Sequence, residues 1–128
     1  MKASNFVTGI QHIGLPTNDM SKTAEFYESL GFEKTYETMD GATKICFFKL
    51  MDIAFEAYEN GCAVNTYGAI DHISLNVTDV EKTFEVVSNG GYKVVSNGIE
   101  FLPFFKNGVK FFTIEGPNME KIEFNQYM

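Results

Sequence analysis

A chain of 128 residues that is 45% hydrophobic and 21% charged has the make-up of a small globular domain, or of two modules sharing a core, and not of a disordered segment. A net charge of −7, with all ten basic residues lysine, excludes a nucleic-acid surface and leaves no bidentate guanidinium for carboxylates or phosphates. No apolar run is long enough to span a membrane, the opening "MKASNFVTGI" lacks a signal-peptide core, and Cys46 and Cys62 are too few for a disulfide framework, so a cytoplasmic protein with reduced thiols is expected.

The first predicted element is a strand over Gly9–Pro16. Asn18 or Asp19 then caps a helix that places Met20, Ala24, Tyr27 and Leu30 on one face and stops at Gly31. Strands follow near Glu33–Glu37, Lys44–Leu50 and Ile53–Tyr58, the first two joined by the turn "MDGAT". After a short connection, Glu59–Gly68, the order begins again. A strand is predicted over Ala69–Val77, then a helix capped by Thr78 or Asp79, with Val80, Phe84 and Val87 on one face and an end at Gly90-Gly91. Later strands fall near Lys93–Asn97, at Phe101–Phe105 or Val109–Ile114, and at Lys121–Gln126, with "KNGVK" as the turn that separates the hairpin strands.

The second series repeats the first at an offset of sixty positions. Identities are Ile10/Ile70, His12/His72, Ile13/Ile73, Leu15/Leu75, Asp19/Asp79, Lys22/Lys82, Thr23/Thr83, Glu25/Glu85 and Gly31/Gly91. Phe47-Phe48 echoes Phe111-Phe112, and Glu56 aligns with Glu123 once a longer "GPN" turn is allowed in the second copy. The predicted class is α+β: two tandem βαβββ modules, about 8–60 and 68–127, forming a cupped mixed sheet within one domain.

Alternation along the strands sorts the side chains by face. Ile13 and Leu15 face the helix and His12 the opposite side; Ile53, Phe55 and Ala57 face the helix and Glu56 the opposite side. The same reading sets His72 and Glu123 away from the second helix. A single histidine or glutamate on a sheet face is ordinary surface. Two matched His/Glu pairs holding both histidines of the protein form a donor set suited to a divalent metal: Zn²⁺ or Ni²⁺ first, with Co²⁺, Mn²⁺ and Fe²⁺ as alternatives.

These residues, together with "KTAEFYESLGF" and the closing "GPNMEKIEF", resemble the vicinal oxygen chelate superfamily, which includes glyoxalase I, methylmalonyl-CoA epimerase, extradiol dioxygenases and the fosfomycin and bleomycin resistance proteins. The resemblance runs from about Gly9 to Gln126. His12, Glu56, His72 and Glu123 match the metal set of glyoxalase I position by position. The resemblance implies a lactoylglutathione lyase-type reaction on a thiol adduct of an α-ketoaldehyde through an enediolate. Glu123 would move the proton, with Glu56 as its counterpart. It also implies a small-molecule substrate and either a homodimer whose chains share each site or two modules of one chain closing on each other, of which the short Glu59–Gly68 connection favours the homodimer. The alternatives are another metal enzyme of the superfamily (acyl-CoA epimerase, antibiotic thiol transferase or dioxygenase) and a non-catalytic binding or resistance protein. The missing arginines count against a glutathione grip of the usual kind. Phe48, Tyr58, Phe101, Phe104 and Phe105 are the candidate apolar walls of the substrate pocket, each weighed against an ordinary packing role.

Overall fold

Hydrogen bonding in the computed structural model, which describes residues 1–68 and 70–128, divides the strands into two open sheets, one in each of two units, Met1–Val64 and Asn65–Met128. The first unit runs β1 (Ile13–Thr17), α1 (Met20–Ser29), β2 (Glu33–Asp40), β3 (Thr43–Leu50) and β4 (Ile53–Glu59). Its sheet order is β1-β4-β3-β2, with β1 parallel to β4 and the other pairs antiparallel. The parallel pair is possible because a helix and two strands separate its members in sequence.

Asp19, not Asn18, caps α1: its carboxylate accepts the Lys22 backbone N–H at 3.1 Å. Met20 and Tyr27 are buried from α1. Thr23 joins them and satisfies its hydroxyl against the buried Thr17 hydroxyl at 2.9 Å. Below the helix, Tyr27, Phe32, Phe48 and Phe55 make the aromatic core on one face of the sheet. The opposite face carries Phe47, Glu56 and Tyr58.

The second unit repeats the plan with β5 (His72–Asn76), α2 (Val80–Asn89), β6 (Lys93–Val94), β7 (Glu100–Leu102), β8 (Val109–Glu115) and β9 (Lys121–Tyr127). β5 is parallel to β9, and the order is β5-β9-β8-β6, with β7 also paired to β8. Asp79 caps α2 through the Lys82 N–H at 2.9 Å. Val80, Val87, Phe112, Ile114, Ile122 and Phe124 form the helix-side core. No helix among the described residues is long and apolar enough to cross a membrane.

Three expectations change in detail. The first strand begins at Ile13 and not at Gly9: pairing starts with Ile13 opposite Phe55, and Gly9 and Ile10 would fall beyond the start of β4 at Ile53. His12 therefore sits just ahead of β1. In the second unit β5 begins at His72, and Ala69, the expected head of that strand, lies outside the described residues. The strand expected over Lys93–Asn97 is broken: the Ser96 hydroxyl takes the Thr113 N–H at 2.9 Å in place of a ladder bond, and Gly98 turns the chain at φ +62°. Pairing resumes at β7 and stops before Pro103, which has no N–H to give. The two alternatives for the next strand are thus both present, as β7 and β8. The β3–β4 turn has two residues and the β8–β9 turn five, so the extra three fall where the repeat comparison required them.

Candidate metal centre

The strand registers place the two glutamates at equivalent positions in the two units. Glu56 lies opposite Gly14, two residues after His12; Glu123 lies opposite Ser74, two residues after His72. Both glutamates sit on the face away from the helix.

In the second unit the pair is assembled. His72 Nε2 stands 3.6 Å from Glu123 Oε2. The other imidazole nitrogen, Nδ1, stands 2.9 Å from Asp71 Oδ2. Glu123 Oε1 accepts from the Ser74 hydroxyl at 2.8 Å and from the Asn125 amide at 2.9 Å. One carboxylate oxygen is therefore held by donors, and the other faces the imidazole nitrogen. Two donors each about 2.1 Å from a single ion lie roughly 3–3.6 Å apart, so this pair has the spacing and the chemistry of two metal ligands. An ion here would neutralise the approach of lone pair to lone pair.

The pair borders an open cleft of about 490 Å³ lined by Tyr67, Asp71, Ser96, Glu100, Phe111 and Lys121, among others. Lys121 donates to Asp71 Oδ1 at 3.0 Å and lies 3.9 Å over the Tyr67 ring. The Tyr67 hydroxyl donates to Glu115 Oε2 at 2.7 Å, and Lys93 donates to Glu115 Oε1 at 2.8 Å. Lys93 and the Tyr67 hydroxyl hold the buried Glu115 carboxyl below its ordinary pKa, and the same hydrogen bond raises that of Tyr67. A lowered folded pKa means that Glu115 stabilises the unit fully above the usual glutamate range and loses that contribution as pH falls through the folded value. Glu115→Gln is expected to lower Tm by about 3–6 °C near neutral pH. The deficit should shrink as pH falls below the usual glutamate range, where wild type loses the same charge. Thermal melts across that range check it; an unchanged deficit would contradict the assignment.

In the first unit, His12 Nδ1 contacts Gln11 Oε1 at 3.0 Å, and its ring meets Phe47 edge-on at 5.6 Å. The counterparts of Ser74 and Asn125 are Gly14 and Tyr58, and no side-chain donor among the described residues holds Glu56. The structure thus brings His72 and Glu123 together, whereas no hydrogen bond or ion pair among the described residues joins His12 to Glu56, His12 meeting Gln11 and Phe47 instead. Among the described residues no three His, Cys, Asp or Glu side chains stand together as a ready-made metal cluster.

The pocket-wall residues separate. Phe48 is 0% exposed and stacks on Tyr27, so it belongs to the helix-side core and does not line the open face. Phe101 pairs with Lys110, which reaches Glu81 of α2; it too lies on the helix side, at an edge. Tyr58 is on the open face beside Gly14. Phe104 and Phe105 border a smaller hollow of about 190 Å³ with Ser74, Asn76, Asn125 and Tyr127, next to the groups that hold Glu123. Sequence reasoning missed Phe47, Tyr67, Asp71 and Ser74. Strand alternation could have flagged Ser74, which shares a face with His72.

Residues 9–124 match the family described as the Glyoxalase/Bleomycin resistance protein/Dioxygenase superfamily. The chain is 26% identical over 129 residues to the uncharacterised protein YwbC of Bacillus subtilis (strain 168), across 91% of this chain and 96% of YwbC. The glyoxalase family protein from Enterococcus faecalis superimposes with a TM-score of 0.77 at 20% identity, covering 94% of this chain and 98% of that one. The fosfomycin resistance protein FosX from Listeria monocytogenes, in complex with Mn(II) and sulfate, superimposes with a TM-score of 0.74 at 17% identity, covering 96% and 95%. At these identities the structural likeness establishes a shared fold.

Proposed function

The chain belongs to the glyoxalase/bleomycin resistance protein/dioxygenase superfamily, and on that premise we propose that it is a divalent-metal-dependent lyase or isomerase of the glyoxalase type. The observation that carries the reading is the His72–Glu123 pair, its donor atoms 3.6 Å apart and each oriented by a further side chain. His12, Glu56, His72 and Glu123 are the proposed ligands, for Zn²⁺ or Ni²⁺ first. The Mn(II) in the FosX structure supports a divalent ion of this kind. When bound, such an ion supplies Lewis-acid stabilisation of negative charge on substrate oxygens.

The chain's own groups do the rest. Glu123, fixed by Ser74 and Asn125, is placed to take the proton from the carbon bearing the hydroxyl and sulfur of a hemithioacetal. The resulting enediolate is reprotonated at the neighbouring carbon, with Glu56 as the counterpart carboxylate. The product is an α-hydroxy thioester with the same atoms and electrons, so no redox partner is needed. A homodimer acting on a small molecule completes the reading.

Calorimetric titration of the metal-free protein with Ni²⁺, Zn²⁺ and Mn²⁺ is expected to show one tight site per chain. The loaded protein should then isomerise a methylglyoxal–thiol hemithioacetal, assayed with several thiols because the chain has no arginine. Absence of binding for all three ions would sink the proposal. Binding without isomerisation would keep the metal centre and overturn the glyoxalase-type reaction.

A further inference from the structure

Each histidine is preceded by a residue whose side-chain oxygen takes its Nδ1: Gln11 for His12 at 3.0 Å and Asp71 for His72 at 2.9 Å. We propose that Gln11 and Asp71 are positioning residues that fix both imidazoles as Nδ1–H tautomers, and that their difference in charge makes His72 the stronger nitrogen donor of the two. The ranking rests on the metal reading above; the tautomer assignment does not.

The argument begins with proton inventory. A carboxylate oxygen and an amide oxygen have no proton to give, so each contact needs its proton on Nδ1. The neutral ring then carries its lone pair on Nε2. In the second unit that nitrogen faces Glu123 Oε2. The opposite tautomer would set the Nδ1 lone pair against the Asp71 oxygen and put a proton on Nε2, which spoils it as a ligand. A carboxylate on the far nitrogen also raises the basicity of the imidazole more than an amide does.

Asp71 does not move freely. Its second oxygen is tied to Lys121 at 3.0 Å, and Lys121 rests over the Tyr67 ring, whose hydroxyl is anchored on Glu115. The His72 side chain is therefore held by a chain of contacts reaching into buried structure. His12 has a single neutral acceptor and an edge contact with Phe47. The repeat kept the position of the device and changed its strength.

The test is ¹⁵N NMR of the histidine-labelled, metal-free full chain at about pH 9, where imidazoles are neutral. Both rings are expected to read as Nδ1–H. Asp71→Ala should return His72, and only His72, to the Nε2–H form that a free imidazole side chain prefers in water; Gln11→Ala should do so for His12 alone. Asp71→Asn keeps an acceptor and should rescue the tautomer, while Ni²⁺ affinity falls about tenfold. Gln11→Glu should raise that affinity. Nε2–H signals in the wild-type chain would overturn the tautomer assignment. Rescued tautomer with unchanged Ni²⁺ affinity in Asp71→Asn would overturn the ranking. A wild-type chain with both Nδ1–H forms but no Ni²⁺ binding would overturn the metal reading and leave the tautomer assignment standing.

Discussion

Phe48→Ala is expected to lower the unfolding free energy by about 3–5 kcal/mol, against the total of about 5–15 kcal/mol typical of a small domain. The ring is fully buried and lies 6.1 Å from Tyr27 in a stacked arrangement. It faces Phe55 across the β3–β4 ladder, and Phe55 in turn meets Tyr27 at 4.9 Å and Phe32 at 5.7 Å. Truncation removes one wall of this set, whose hub is Tyr27. The hole cannot close by side-chain shifts alone, because the helix above is pinned at its cap and the sheet below by its ladder. Urea denaturation measures the loss. A cost below about 1 kcal/mol together with a raised KM would restore Phe48 as a pocket wall.

Glu123→Gln should reduce hemithioacetal isomerisation by about 10²–10⁴-fold at saturating metal, the range associated with one general acid–base group. The substitution is chosen for what it preserves. Glutamine keeps an oxygen for Ser74 and Asn125, so the strand and the side-chain position hold. It loses the capacity to accept a proton from carbon and weakens the ligand facing His72. Working at saturating Ni²⁺ separates the two effects, because lost affinity is then restored while lost proton transfer is not. Wild-type turnover by the metal-loaded variant would remove Glu123 as the base.

Much of this architecture was legible because the chain states it twice. The repeat located both helices, narrowed each cap to two residues, and found the strands that carry Glu56, His72 and Glu123, with His12 just ahead of β1. Strand alternation assigned the faces of Glu56 and Glu123 as the register shows them. Phe48 was misassigned although the information was present. A two-residue turn at Met51-Asp52 sets Phe48 opposite Phe55, so the two share a face, and Phe47 is the aromatic beside His12. Phe101 went the same way, since its face depends on pairing with Lys110 across a long loop that periodicity cannot register. Asp71 was hidden for the opposite reason. Comparing copies isolates what is identical, and here the partner of Nδ1 is glutamine in one and aspartate in the other. The break after Val94 turns on one serine hydroxyl replacing a backbone bond, a choice that local propensity does not encode.

That break sits in the outermost strand of its sheet. Val95, Ser96, Glu100 and Leu102, around it, line one wall of the cleft, while His72 and Glu123 stand on β5 and β9, with β8 between. The rim can therefore be lengthened, shortened or recoloured without disturbing the strands that hold His72 and Glu123. For an engineer wishing to redirect the protein to a bulkier or differently charged substrate, residues 95–100 are the segment to randomise, with the opposite side of the sheet left as found.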